Sequence, residues 1–139
     1  MRAHLLLGCV VVAGLGCNSL KFAPVSGRVT LNGDPVAGAT VSFEPMTDSG
    51  GGPSPPGSLG KTNEKGEFTL VGTNGQNGAL VGKHRVRISL IAEQEGEERQ
   101  RGKPVGEKLP RKFNTDSDMT FDVPAGGTTE ANFPLTTSR

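Results

Sequence analysis

Residues 25–43 read VSGRVTLNGDPVAGATVSF, with apolar side chains recurring at every second position on both sides of a central turn. Val25, Val29 and Leu31 precede the turn, and Val41 and Phe43 follow it. Successive side chains of a strand point to opposite faces of a sheet, so each half presents one apolar and one polar face. The intervening NGDP has the residue types of a turn. This segment therefore predicts two β-strands that each bury one face.

The same period of two recurs along the rest of the chain, and no stretch after residue 20 keeps a helical period. Four further alternating segments lie around residues 67–71, 85–90, 119–123 and 130–135, and a short strand is expected near 79–81. Without helical crossovers between them, the strands predict an all-β fold, an antiparallel β-sandwich of about seven strands. The large core candidates are Phe43, Phe68, Phe121 and Phe133. Pro134 cannot donate to a ladder, so the last strand is expected to lie at an edge or to fray there.

Two long segments carry no strand pattern. Residues 46–60 are rich in Gly, Pro and Ser, and residues 93–111 are charged with both signs. Both are longer than ordinary hairpin loops. They are either solvated insertions or binding loops presented by a rigid scaffold, and the sequence leaves both readings open.

The N-terminus has the pattern of an export signal. Arg2 and His4 precede an apolar run that ends at Gly16 and Cys17. The run is shorter than the roughly 20 residues of a spanning helix. A cysteine directly after a small residue is typical of the bacterial lipoprotein signal, which predicts lipidation at Cys17. Cys9 is the competing position, and an ordinary signal peptide cut later, or a free thiol, is the alternative.

Composition excludes some classes of partner and of stabilisation. The formal net charge of the 139 residues is +1, without the clustered basic face that nucleic-acid binding requires. Both cysteines lie in or at the signal, so no disulfide is expected within the domain. The stability of the domain must therefore come from its hydrophobic core.

Four phrases together resemble a known family. They are VSGRVTLNGDPVAGATV at 25–41, TNEKGEF at 62–68, GKHRV at 82–86 and LPRKFN at 109–114. The ordered set is similar to the carboxypeptidase regulatory-like, transthyretin-like β-sandwich domain, and to the single-domain envelope lipoproteins of planctomycete-type bacteria. The resemblance covers about residues 23–136 and implies a sandwich that is non-catalytic. A shared fold does not by itself transfer a function.

Candidate sites are few. His84, the one histidine outside the signal, is expected at the start of a strand and partly exposed, without an evident partner for catalysis or metal binding. Asn114, Asp116 and Asp118 alternate like the start of a calcium loop, but the later Gly and Glu of an EF-hand are replaced by Met119 and Ala125. An irregular calcium site and a polar loop capping the next strand both remain open. No catalytic, cofactor-binding or metal-binding residue is predicted.

The expected organisation is a signal over 1–16, a lipidated tether over 17–24 and the sandwich domain over 25–136.

The predicted function is that of a non-catalytic lipoprotein, exported and anchored in the cell envelope on its periplasmic or cell-surface face. The domain would be a structural or interaction module without a cofactor. Its expected partners are the membrane, through the lipid, and a protein or glycan that the sequence does not name; nucleic acid is not one of them. A carbohydrate- or peptide-binding module is the alternative. An enzyme is a third reading, which would need converging acid, base or metal groups.

Overall fold

The computed structural model describes residues 19–47, 53–91 and 106–137. Within these ranges the regular structure is β-strand, apart from one short 3-10 helix at Arg111–Phe113. In chain order the strands are β1 (Phe22–Ala23), β2 (Ser26–Leu31), β3 (Asp34–Pro35), β4 (Thr40–Pro45), β5 (Ser58–Lys61), β6 (Glu67–Thr69), β7 (Val71–Gly72), β8 (Ala79–Leu80), β9 (Gly82–Ser89), β10 (Thr120–Val123) and β11 (Phe133–Leu135). The all-β prediction is confirmed, with more and shorter strands than the seven expected.

The larger sheet has five strands in the order β10-β9-β4-β5-β7, and all its pairs are antiparallel. Its centre is β4, which pairs with β9 on one side and β5 on the other. Val41 and Phe43 on β4 are fully buried, as are Val86 and Ile88 on β9. The alternation seen in the sequence therefore sets the inner face of this sheet.

The smaller sheet is built around β2, which pairs antiparallel with β3 and β6. On the edge, β11 pairs with β2 in parallel, which corrects the expectation of a wholly antiparallel sandwich. After β10 the chain crosses the end of the sandwich, where the Thr128 amide donates to the Pro24 carbonyl. The chain then runs beside β2 in the same direction as β2. The predicted edge position of the strand that holds Pro134 is confirmed.

The inner faces of the two sheets share one hydrophobic core. Phe43 lies at its centre, with ring centroids 5.6 Å from Phe121 and 6.0 Å from Phe133. Phe68 and Phe133 are buried, and Phe121 is partly buried against the same cluster. The four predicted core aromatics therefore meet. Phe113, in the 3-10 helix, is also buried and was missed.

Two turns follow directly from their residues. Asn32 and Gly33 join β2 to β3 with φ of 51° and 91°, the positive pair of a two-residue hairpin turn. Asn63 Oδ1 accepts from the amides of Lys65 and Glu67 at 2.9 and 3.0 Å, which is an Asx-type turn before β6. The turn predicted at NGDP is confirmed.

Three expected boundaries are corrected. The expected loop over 46–60 ends in strand, because 58–60 belong to β5. The expected loop over 93–111 is hydrogen-bonded to the end of β9 near its C-terminal end, because Glu107 Oε1 accepts from the amides of Leu90 and Leu109 at 2.8 and 2.9 Å. The tether over 17–24 already contributes β1, whose Ala23 is buried and pairs with β8.

Candidate functional site

The predicted lipidation site, Cys17, lies outside the described residues, which begin at Ser19. Immediately after it the chain joins the fold: the Lys21 carbonyl accepts from the Val81 amide at 2.8 Å, and Phe22 pairs with Leu80. A lipid on Cys17 would therefore sit within a few residues of the sandwich. No helix in the described part of the chain is long and apolar enough to span a membrane.

The outer face of the smaller sheet forms a polar groove of about 790 Å³. Its floor is β2 and β6, with Arg28 and Glu67 side by side, and Asn132 and Pro134 line one wall. Arg28 Nη2 lies 3.2 Å from Glu67 Oε1, and both side chains are about half exposed. Because solvent screens exposed pairs of this kind, the contact contributes little to stability.

The polar groups of this groove are already bonded to one another. Asn63 Nδ2 donates to Glu67 Oε2 at 3.4 Å, and Asn132 Oδ1 accepts from the Arg28 amide at 3.1 Å. The Asn63 amide, followed by the Arg28 guanidinium, holds the pKa of the Glu67 carboxyl below its usual value. The arrangement therefore fixes the turn and the start of β6.

We expect Glu67→Gln to reduce the loss of stability that occurs on acidification. The lowered pKa of Glu67 means that its ionised form stabilises the fold above the ordinary Glu pKa, about 4.3, and that this contribution is lost as the pH falls through the lowered value. Melting temperatures at neutral pH and at several points below pH 5 measure the effect. Glu64→Gln removes a carboxylate from the same turn without touching these bonds and is the control. If Glu67→Gln and wild type lose the same stability on acidification, the Asn63 and Arg28 contacts do not act on Glu67.

His84 lies in β9 and is buried, which corrects the expectation of a partly exposed side chain. Its Nε2 lies 2.6 Å from the Leu80 carbonyl oxygen, and its ring centroid lies 5.5 Å from that of Phe43. Nδ1 has no hydrogen-bond partner among the described residues. His84 has the same parity as Val86 and Ile88, so the strand pattern itself could have placed it inward. It packs in the core and does not reach solvent.

The segment after the 3-10 helix is held by buried polar side chains. Asn114 Nδ2 donates to the Pro110 carbonyl at 3.1 Å, and its Oδ1 accepts from the Thr115 amide at 2.8 Å. Ser117 Oγ donates to the Val86 carbonyl at 2.5 Å and accepts from the Met119 amide at 3.2 Å. These bonds cap the start of β10, as the polar-loop reading expects. Within the described ranges, no group of three or more His, Cys, Asp or Glu side chains is placed to hold a metal ion.

The fold and its surfaces thus define an all-β sandwich with a polar groove on one sheet. Comparison of the chain with protein-family models, curated proteins and solved structures finds no match.

Proposed function

We propose that the chain is a lipoprotein of the bacterial cell envelope, exported and held at a membrane by lipid on Cys17. The observation that carries the proposal is the short stretch of sequence between the predicted signal and the first strand. An apolar run ends at Gly16-Cys17, and β1 begins at Phe22. One acyl chain binds a membrane only marginally, whereas several chains together anchor a protein stably. A multiply acylated cysteine meets that requirement.

We further propose that the sandwich is a non-catalytic structural or interaction module of the carboxypeptidase regulatory-like class. The burial of His84 supports the absence of catalysis, because a general base must reach the proton that it removes. The family phrases also coincide with structural requirements. TNEKGEF contains the Asn63 turn, and LPRKFN contains the buried Leu109, Phe113 and Asn114.

The alternative, a carbohydrate- or peptide-binding module, would use the groove on the smaller sheet. A ligand there would have to replace the Arg28–Glu67 contact and the bonds of Asn63 and Asn132. The chain has no Trp or Tyr, the side chains whose amphipathic rings are enriched at binding interfaces. These observations favour a structural role for the groove.

We expect Cys17→Ser to abolish membrane association of the expressed chain, because the acylated thiol is the only anchor in the proposal. Fractionation and flotation with membranes measure the association, and the intact mass of the wild-type chain measures the added acyl groups. Cys9→Ser is the matched control and should leave both unchanged. A wild-type chain that is soluble and carries a free Cys17 thiol would refute the anchor.

A further inference from the structure

The outer face of the five-stranded sheet differs from the rest of the surface. We call it the cationic face and define it by the outward residues Leu59, Val71, Lys83, Arg85 and Arg87. They alternate along their strands with buried positions, such as Ser58 on β5 and His84, Val86 and Ile88 on β9. They therefore share one side of the sheet.

Four of the five exposed large apolar side chains of the described chain lie on this sheet or within two residues of the end of one of its strands. Leu59 and Val71 are 48% and 45% exposed and lie opposite each other on neighbouring strands. Met46 directly follows β4, Ile91 lies just after β9, and Leu20 precedes β1. These five are all the exposed large hydrophobic residues of the described chain, and none lies in the groove of the smaller sheet.

Three cations lie on the same face. On β9, Lys83, Arg85 and Arg87 project from the same side in succession, whereas Lys61, on β5, lines the groove of the smaller sheet. Among the described residues, the acids on this face are Glu44 and Asp122, which lie opposite Arg85 and Lys83. Glu44 also contacts Arg87, with Oε2 3.4 Å from Nε. The described part of this face thus has three cations and two acids, and its net positive charge is complementary to an anionic surface.

The start of the fold lies at the β7 edge of this sheet. Phe22 packs under β7, because a Cβ on Gly72 would come within 2.8 Å of the Phe22 ring. From Cys17 to Phe22 the chain spans at most about 17 Å when fully extended. A domain of about 100 residues has a radius of gyration of about 13 Å. A lipid on Cys17 would therefore hold the β7 edge against the membrane.

We propose that the cationic face lies flat on an anionic lipid surface, with Leu59 and Val71 at the headgroup boundary and the β9 cations over the lipid phosphates. This inference rests on the proposed lipid anchor at Cys17. It gives the domain a fixed orientation, in which the polar groove of the smaller sheet points away from the membrane. Shallow apolar contact combined with attraction to anionic headgroups is the chemistry of peripheral membrane binding.

The absence of Trp from the sequence makes this orientation measurable. Leu59→Trp places a single indole on the cationic face, and Thr69→Trp places one at an exposed position of the groove. Each lipidated chain is reconstituted in phosphatidylglycerol/phosphatidylcholine vesicles that contain brominated lipid as a quencher. We expect loss of emission for Leu59→Trp and retained emission for Thr69→Trp. Removing the charges with Lys83→Gln and Arg85→Gln in the Leu59→Trp chain should weaken docking about fivefold for each cation. Lys65→Gln, in the turn before β6, should not weaken it.

The outcomes separate this inference from the anchor. Chains that float with the vesicles but show equal quenching at both positions overturn the orientation and leave the anchor intact. Chains that do not float refute the anchor itself. Equal docking on pure phosphatidylcholine overturns the role of charge. A concentration-dependent blue shift of Leu59→Trp without lipid would assign the face to a second copy of the chain, which also overturns the proposal.

Discussion

Phe43→Ala is expected to destabilise the domain by about 3–5 kcal/mol, the range for removing a large aromatic side chain from a core. Phe43 is fully buried on the central strand of the five-stranded sheet. Its ring approaches those of His84, Phe121 and Phe133, with centroids 5.5–6.0 Å apart. Truncation would open a cavity between the two sheets, where the surrounding backbone ladders limit collapse.

Such a loss is a large fraction of the roughly 5–15 kcal/mol that stabilises an ordinary domain. It corresponds to a fall in melting temperature of roughly 10–20 °C for a chain of this size. Calorimetry or far-ultraviolet circular dichroism measures it. Leu59→Ala is the matched control, because Leu59 is half exposed on the neighbouring strand and should change stability by about 0.5 kcal/mol or less. Similar losses for the two variants would mean that the core does not centre on β4.

Period-two patterning predicted the strands that carry their own apolar face. Val41, Phe43, Val86 and Ile88 all point inward as the sequence indicates. The pattern failed for β5, where the inward positions are Ser58 and Gly60 and the apolar residue, Leu59, points outward. A Cβ on Gly60 would come within 2.7 Å of the Thr69 carbonyl oxygen, so position 60 on the inward side of β5 has no room for an apolar side chain.

The sequence patterns also could not predict which distant segments contact each other. Nothing local to residues 133–135 shows that β11 runs parallel to β2, since the direction depends on how the chain crosses the end of the sandwich. The buried role of the LPRKFN segment likewise depends on Asn114 binding carbonyls that precede the 3-10 helix. The proposed anchor, in contrast, rests on the sequence alone, because Cys17 precedes the described residues.

Gly27→Ala is the second substitution with a large expected effect, because β2 and the incoming segment before β11 approach each other at Gly27. A Cβ on Gly27 would overlap the carbonyl group of Ala131, a fully buried residue. The backbones are held together there by the Ala131 amide, which donates to Ser26, and by the Arg28 amide, which donates to Asn132 Oδ1 at 3.1 Å. The structure thus identifies Ala131 as the backbone that Gly27 accommodates.

Relieving the overlap requires the Ala131 segment to move away from β2. We expect a cost of roughly 3–5 kcal/mol: about 1–3 for overpacking and about 1 for each of the two hydrogen bonds. Gly126→Ala is the control, because an added Cβ there meets nothing within 4 Å, and its stability should match wild type. Thermal unfolding of the two variants measures the difference. If Gly27→Ala has the same melting temperature as wild type, β2 and the segment before β11 are further apart than the structure places them. The parallel register of β11 is then wrong. Since β11 forms this edge of the smaller sheet, loss of the register would also remove the Asn132 and Pro134 wall of the polar groove.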